Sequence, residues 1–351
     1  MSTNPYSGLP DRQFWRRAVA GIEPFLFDPV TTPRFTIGRE ERVATAGSCF
    51  AQHISNRLAK IGFNYFVTED GAALPEAERR AMNYGVFSAR FGNLYTTRQL
   101  LQLFQECFDG RQPAEAAWPT ADGRFVDALR PQIAPGGLAT ETDVAAARVE
   151  HLAQVRRMFL DCDIFVFTLG LTEAWRSRID GTVFPVAPGV SGGGFDPARH
   201  EFVNFTVADV IGDLEEFLRR LKAVNPAVKV LLTVSPVPLI ATYEPRNVLV
   251  ATSYSKSVLR VAAETAYRSH DWVDYFPSYE IITGNYNNGA YYEADYRGIN
   301  AVGVDHAMRC FLKHYAGTGG GAQGATPAAV HVAAADADVV CDEEAIDQIR
   351  I

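Results

Sequence analysis

Five short apolar runs punctuate the chain, at 43–46, 63–67, 163–169 ("DIFVFTL"), 228–234 ("VKVLLTV") and 272–276 ("WVDYF"). Each has strand length and is rich in β-branched or aromatic residues. Between them, apolar residues recur at helical spacing over 50–61, 76–91, 97–108, 141–160, 206–224, 252–269 and 300–315. Thr206, with Asp209 three residues on, predicts a capped helix start before "VIGDLEEFLRRL". The strand runs are continuous instead of alternating, as expected of strands covered on both faces, and strands that alternate with helices build parallel sheets. The pattern therefore predicts a three-layer α/β/α sandwich around a central parallel sheet of about five strands. Ligands bind such sheets beyond the carboxyl ends of the strands, which directs attention to the residues just after 46, 169, 234 and 276.

The flanks read differently. Residues 1–40, with "DRQFWRRAV", form an N-terminal extension expected to pack on the domain, since Phe14 and Trp15 would otherwise face water. Residues 41–315 carry all the periodic segments. Residues 316–351 are Gly- and Ala-rich and then acidic ("CDEEAIDQIRI"), the composition of a flexible tail.

Composition removes several function classes. The net charge is −8, and no stretch concentrates Lys and Arg as a phosphate-tracking surface does, so nucleic acid is not an expected partner. No segment approaches the ~20 apolar residues needed to span a bilayer, and the start lacks a signal-peptide pattern; a cytoplasmic protein is expected. Cys49, Cys107, Cys162, Cys310 and Cys341 are odd in number and show no C-x-x-C or His–Cys ligand spacing. Free thiols, with no metal and no cofactor, are expected.

The chemistry concentrates at 44–53, "ATAGSCFAQH". Gly47 permits a tight bend after the first strand, which puts Ser48 and Cys49 at a helix start where backbone N–H groups and the helix dipole favour an anion. A thiolate is stabilised there, and the same donors suit the oxyanion of an acyl-transfer intermediate. The alternative is a Ser48 helix cap beside a buried Cys49.

"GSCFA" at 47–51 resembles the signature of the GSCFA family, itself similar to the SGNH/GDSL hydrolases. "GNLYTTRQL" (92–100), "TLGLTEAW" (168–175), "TVSPVPL" (233–239), "SYSKSVLR" (253–260) and "YFPSYEIITG" (275–284) extend the resemblance over roughly residues 10–315. It implies a flavodoxin-like fold of SGNH-hydrolase type, with Cys49 on the nucleophile position and Ser48 taking over if the loop is one residue tighter. It also implies an oxyanion block, with Gly170 as its glycine and Thr172 where an asparagine amide is usual; a threonine hydroxyl is shorter and less well aimed. Gly85 and Asn93 are weaker candidates for the remaining donors. Glu173 is either a crevice carboxylate or a polar-face residue, and Trp175 either a sugar-stacking wall or core.

The superfamily's Asp-x-x-His corresponds to "ADYRGIN", where Asp295 is present and Gly298 occupies the histidine position. Two histidines compete for the missing base. His306 lies eight residues beyond Gly298, roughly 12 Å along a helix, on the flank of an inward stripe of Val304, Met308, Phe311 and Tyr315. His53 follows Cys49 by four residues, on one helix face with it. Two segments, 183–202 (Gly/Pro-rich) and 285–297 (dense in Asn and Tyr), are candidate binding loops. The leading expectation is an esterase or O-acyltransferase acting on an acylated carbohydrate or small polyol ester. The alternative is a non-catalytic descendant that binds a glycan or protein partner through the old crevice.

Overall fold

The computed structural model of the chain describes residues 4–316 and Ile346. Strand β1 (Val43–Gly47) leads into α1 (Ala51–Lys60), a short α2 (Glu76–Ala81) and α3 (Thr97–Asp109). A hairpin of β2 (Ala117–Pro119) and β3 (Phe125–Asp127) precedes α4 (Glu141–Asp161) and β4 (Ile164–Leu169). β5 (Glu173–Ser177), β6 (Val183–Phe184), β7 (His200–Asn204), α5 (Val207–Val224) and β8 (Lys229–Val234) follow. The last elements are α6 (Val248–Ser269), β9 (Val273–Tyr275), α7 (Ser278–Thr283) and α8 (Ala301–Tyr315).

The expected sandwich is present. Its sheet is parallel and runs β1–β4–β8–β9. Side chains alternate across a strand, so Ala44, Phe165, Phe167 and Leu232 join one core with Phe104 of α3, Phe159 of α4, Phe217 of α5 and Leu259 of α6. Val43, Ile164, Val166 and Leu231 face the other way, against Ile54 of α1, Ile281 of α7 and Phe311 of α8.

The sheet has four strands where about five were expected. The run at 63–67 makes a single parallel bridge, Val43 to Tyr65, through Val43 N–H to the Asn64 carbonyl and Phe66 N–H to the Val43 carbonyl. Two residues on, the edge of β1 is taken: Thr45 N–H donates to Ser88 Oγ at 2.9 Å. A side-chain hydroxyl replaces the next rung of the ladder, and pairing stops.

Other departures have equally local causes. The helix expected over 76–91 ends at Ala81, because Asn83 and Gly85 adopt positive φ, and the following residues cross under the sheet edge to deliver Ser88. α6 starts at Val248, earlier than the expected 252, capped by the Asn247 side chain. Thr206 and Asp209 form the reciprocal capping box of α5. The segment expected as a long open loop, 183–202, supplies β6 and the start of β7, which flank β5 in an antiparallel three-stranded sheet. At the N-terminus, Phe27 packs against Tyr286 in a tilted contact with ring centroids 4.3 Å apart, but Trp15 stays 65% exposed, contrary to the expectation that it would pack.

A buried charge cluster fixes the stretch that leads to the site. Arg130 donates to Asp127 at 2.7 Å and to the Arg90 carbonyl at 3.0 Å, while Arg148 bridges Asp127 and Glu106. Glu69 accepts from Arg90 N–H and from His151 Nδ1–H, at 2.8 and 2.7 Å. Burial, reinforced by the Arg130 charge, pushes the His151 pKa down to about 4, so the ring is neutral at pH 7.

Gly47 closes β1 with φ +132°, and a Cβ there would lie 2.3 Å from the Thr168 carbonyl oxygen. Gly47→Ala is expected to cost more than about 3 kcal/mol, combining left-handed strain with a backbone collision; chemical denaturation would measure it. His151 gives a second expectation. Its folded pKa of about 4 lies below the ordinary 6.5, so the unfolded chain binds the extra proton and stability falls as pH drops through that interval. Calorimetry from neutral pH down to the carboxylate range should show Tm declining in the wild type and declining less steeply in His151→Asn.

Candidate functional site

The corner after β1 is built by backbone contacts. Ser48 N–H donates to the Thr168 carbonyl at 3.2 Å, which holds the turn against the end of β4. Leu94 N–H donates to the Gly47 carbonyl, and the Gly170 and Leu171 amides both donate to the Tyr95 carbonyl. The segment through Asn93 and Tyr95 is thereby clamped between the carboxyl ends of β1 and β4, where a parallel sheet of this kind opens its ligand crevice.

Helix α1 begins at Ala51, so Cys49 precedes its first turn instead of lying within it. The amides of Ala51, Gln52 and His53 donate to the carbonyls of Ser48, Cys49 and Phe50. Any main-chain oxyanion donor at this corner must therefore come from before Ala51. The Gly170 amide is likewise committed, to Tyr95.

Ser48 and Cys49 share a narrow cavity with Tyr95, Gly170, Ser235 and Lys256, and the loop Val237–Leu239 completes its wall. Its volume is about 10 Å³, space for one water at most. Cys49 is 8% exposed. The Ser48 hydroxyl is buried and has no hydrogen-bond partner among the described residues, a costly arrangement for a polar group outside a functional site.

Lys256 is the residue that the motif reading missed. It lies on α6, is 2% exposed, and its Nζ donates to the Gly170 carbonyl at 2.6 Å. Among the described residues it is the one cation that lines this cavity. The signal was present in "SYSKSVLR": positions 256, 259 and 263 fall on one helix face, and Leu259 and Ala263 belong to the core. A lysine on that apolar stripe packs its methylenes on the core, and here the amine is buried too.

The two expected histidine bases lie elsewhere. His306 is fully buried, not on a flank of α8: its Nδ1 accepts the Tyr291 hydroxyl proton and its Nε2–H donates to the Phe27 carbonyl, both at 2.6 Å. Burial lowers its pKa. It is a neutral tether for the N-terminal segment and does not line the Cys49 cavity. His53 is half-buried on α1, its ring packed on Phe50 at 5.4 Å, and it too is outside the cavity lining. Asp295 is exposed and accepts the N–H groups of Arg297 and Gly298 at 2.9 Å, closing its own turn; those bonds lower its pKa. No Asp295–His306 relay forms.

Of the expected oxyanion residues, Gly47 and Gly170 are at the corner and Asn93 is buried in the clamped segment. Gly85 is exposed on a remote turn with open space around it. Thr172 is corrected outright: its hydroxyl donates to Asn204 Oδ1 at 2.7 Å and its N–H to Ser255 Oγ at 3.0 Å. Glu173 accepts from the Thr242 hydroxyl at 2.6 Å and the Tyr243 amide at 3.2 Å, and burial raises its pKa. It faces a second, larger cavity that also touches Leu171 and Leu239.

Among the described residues no His, Cys, Asp and Glu group together to hold a metal, and no helix is long and apolar enough to cross a membrane. No curated protein and no solved structure matches the chain. Residues 42–311, from the foot of β1 into the last turns of α8, match the GSCFA family, and the chain belongs to that family.

Proposed function

We propose that the protein is an SGNH-like esterase or O-acyltransferase that takes an acylated carbohydrate or small polyol ester, with Cys49 as nucleophile and Lys256 as its proton partner. The observation that supports this reading is the enclosure of a thiol, a hydroxyl and a lysine amine in one cavity at the strand ends. A cation beside a cysteine favours the thiolate, and lysine replaces histidine in some nucleophilic dyads.

The chemistry balances with these groups. The Cys49 thiolate attacks the ester carbonyl, a C–S bond forms, and the electron pair moves to the carbonyl oxygen. As the tetrahedral intermediate collapses, the C–O bond breaks and the Lys256 ammonium protonates the leaving alkoxide. Water or an acceptor hydroxyl then attacks the thioester while giving its proton to the Lys256 amine, and the thiolate–ammonium pair is restored. The loop at 285–297 is fastened to the loop that walls the cavity, since Tyr292 and Arg297 donate to the Pro236 and Pro238 carbonyls.

The 10 Å³ cavity favours a second reading, in which the crevice is closed to chemistry and serves only binding. Mass spectrometry after brief exposure to iodoacetamide or an activated acyl ester separates the two. Burial pushes the Cys107 pKa up, that of Cys162 to about 12 and that of Cys310 to about 11, so these thiols are expected to react slowly. On the enzymatic reading Cys49 is acylated at least about tenfold faster than they are, Lys256→Met slows it by about 10²–10⁴-fold, and His306→Asn leaves it within about twofold. Adduct on Ser48 would move the nucleophile by one residue. Slow, uniform labelling of all thiols would overturn the enzymatic reading.

A further inference from the structure

A cavity of about 300 Å³ lies between the β5–β7 sheet and the loop that covers Cys49. Leu171 and Leu239 line both this cavity and the Cys49 site, so the two spaces are separated by a pair of aliphatic side chains. Its wall includes Trp175, Phe202, Val186 and Ala187, with Trp175 edge-on to Phe202 at 6.0 Å and to Tyr243 at 4.9 Å. The polar groups of Glu173 are turned onto Thr242 and Tyr243. Ile346, from the C-terminal segment, adds a further aliphatic surface.

Resting on the acyl-transfer reading above, we propose that this cavity receives the acyl chain of the ester and that the chain is a medium-length aliphatic one. An acyl carbon within reach of Cys49 leaves its chain beside Leu171 and Leu239, and movement of Leu239 with its loop joins the two spaces. At roughly 30 Å³ for a group the size of water, the void of about 300 Å³ accommodates a chain of up to about ten carbons. Short acyl groups such as acetyl leave it unfilled. An aliphatic chain suits it on chemistry as well: its apolar walls reward each buried methylene by about fourfold in binding, while its one carboxylate, Glu173, is already engaged by Thr242 and Tyr243.

The test needs no turnover. Trp175 is one of four tryptophans and the one that lines the cavity, so its fluorescence reports occupancy. Sodium octanoate titrated into the full-length protein should produce a saturable change, with sodium acetate at least about tenfold weaker, and Trp175→Phe should abolish the signal. Ala187→Phe, or Ala174→Leu should the first variant melt early, fills the void and should remove octanoate binding. A response equal for acetate and octanoate, or octanoate binding unchanged in a correctly folded filled variant, overturns the proposal. Chain-length-selective binding with no acylation of Cys49 upholds the cavity while the enzymatic reading fails. Cys49 acylated equally fast by acetyl and octanoyl esters, without selective binding, refutes the cavity and leaves the enzyme.

Discussion

The contact on which this site depends is the approach of Gly47 to the end of β4. A side chain at position 47 would overlap the Thr168 carbonyl, and without that approach Ser48 N–H would lose the same oxygen as its acceptor. The chain must therefore reverse at the sheet edge with no lateral freedom. The following two residues are presented to the crevice by backbone geometry instead of by side-chain packing. That explains how two small polar side chains tolerate near-complete burial: the turn puts them there whatever their own preference. The Gly47 carbonyl serves the same architecture by accepting from Leu94, which carries the second wall, Tyr95, into place.

Much of the architecture was legible because a doubly covered parallel sheet leaves an unambiguous trace. The runs at 163–169 and 228–234 became β4 and β8 at the centre, where both faces demand apolar residues. Legibility failed at the edge. The run at 63–67 has a strand's composition, but whether it pairs depends on what else reaches β1, and Ser88 Oγ reached it from a segment whose own pattern looked helical. No local window contains that competition. The three-stranded sheet around β5 failed for a related reason: β6 is two residues long, and its pairing is defined by a partner and not by propensity.

The site was legible in part. Its corner followed from "GSCFA", since a glycine between a strand and a helix has a steric meaning of its own. The proton partner was sought among histidines because the resemblance supplied that chemistry, and spacing alone left His53 and His306 open. His306 shows how such reasoning fails. Its position among apolar neighbours was visible, but its two partners, Tyr291 and the Phe27 carbonyl, come from a loop and from the N-terminal segment. With both ring nitrogens engaged and burial favouring the neutral form, it fastens residues 24–27 to α8.

Lys256 occupies the opposite situation. Its helix faces the core that α3, α4 and α5 share, and a four-carbon stem lets a residue on that face bury its methylenes while the amine extends past the strand ends. The amine meets the Gly170 carbonyl at the carboxyl edge of β4, where the peptide dipole receives a cation favourably. The last loop holds no histidine, and the cation that reaches the crevice thus enters it from the helical layer.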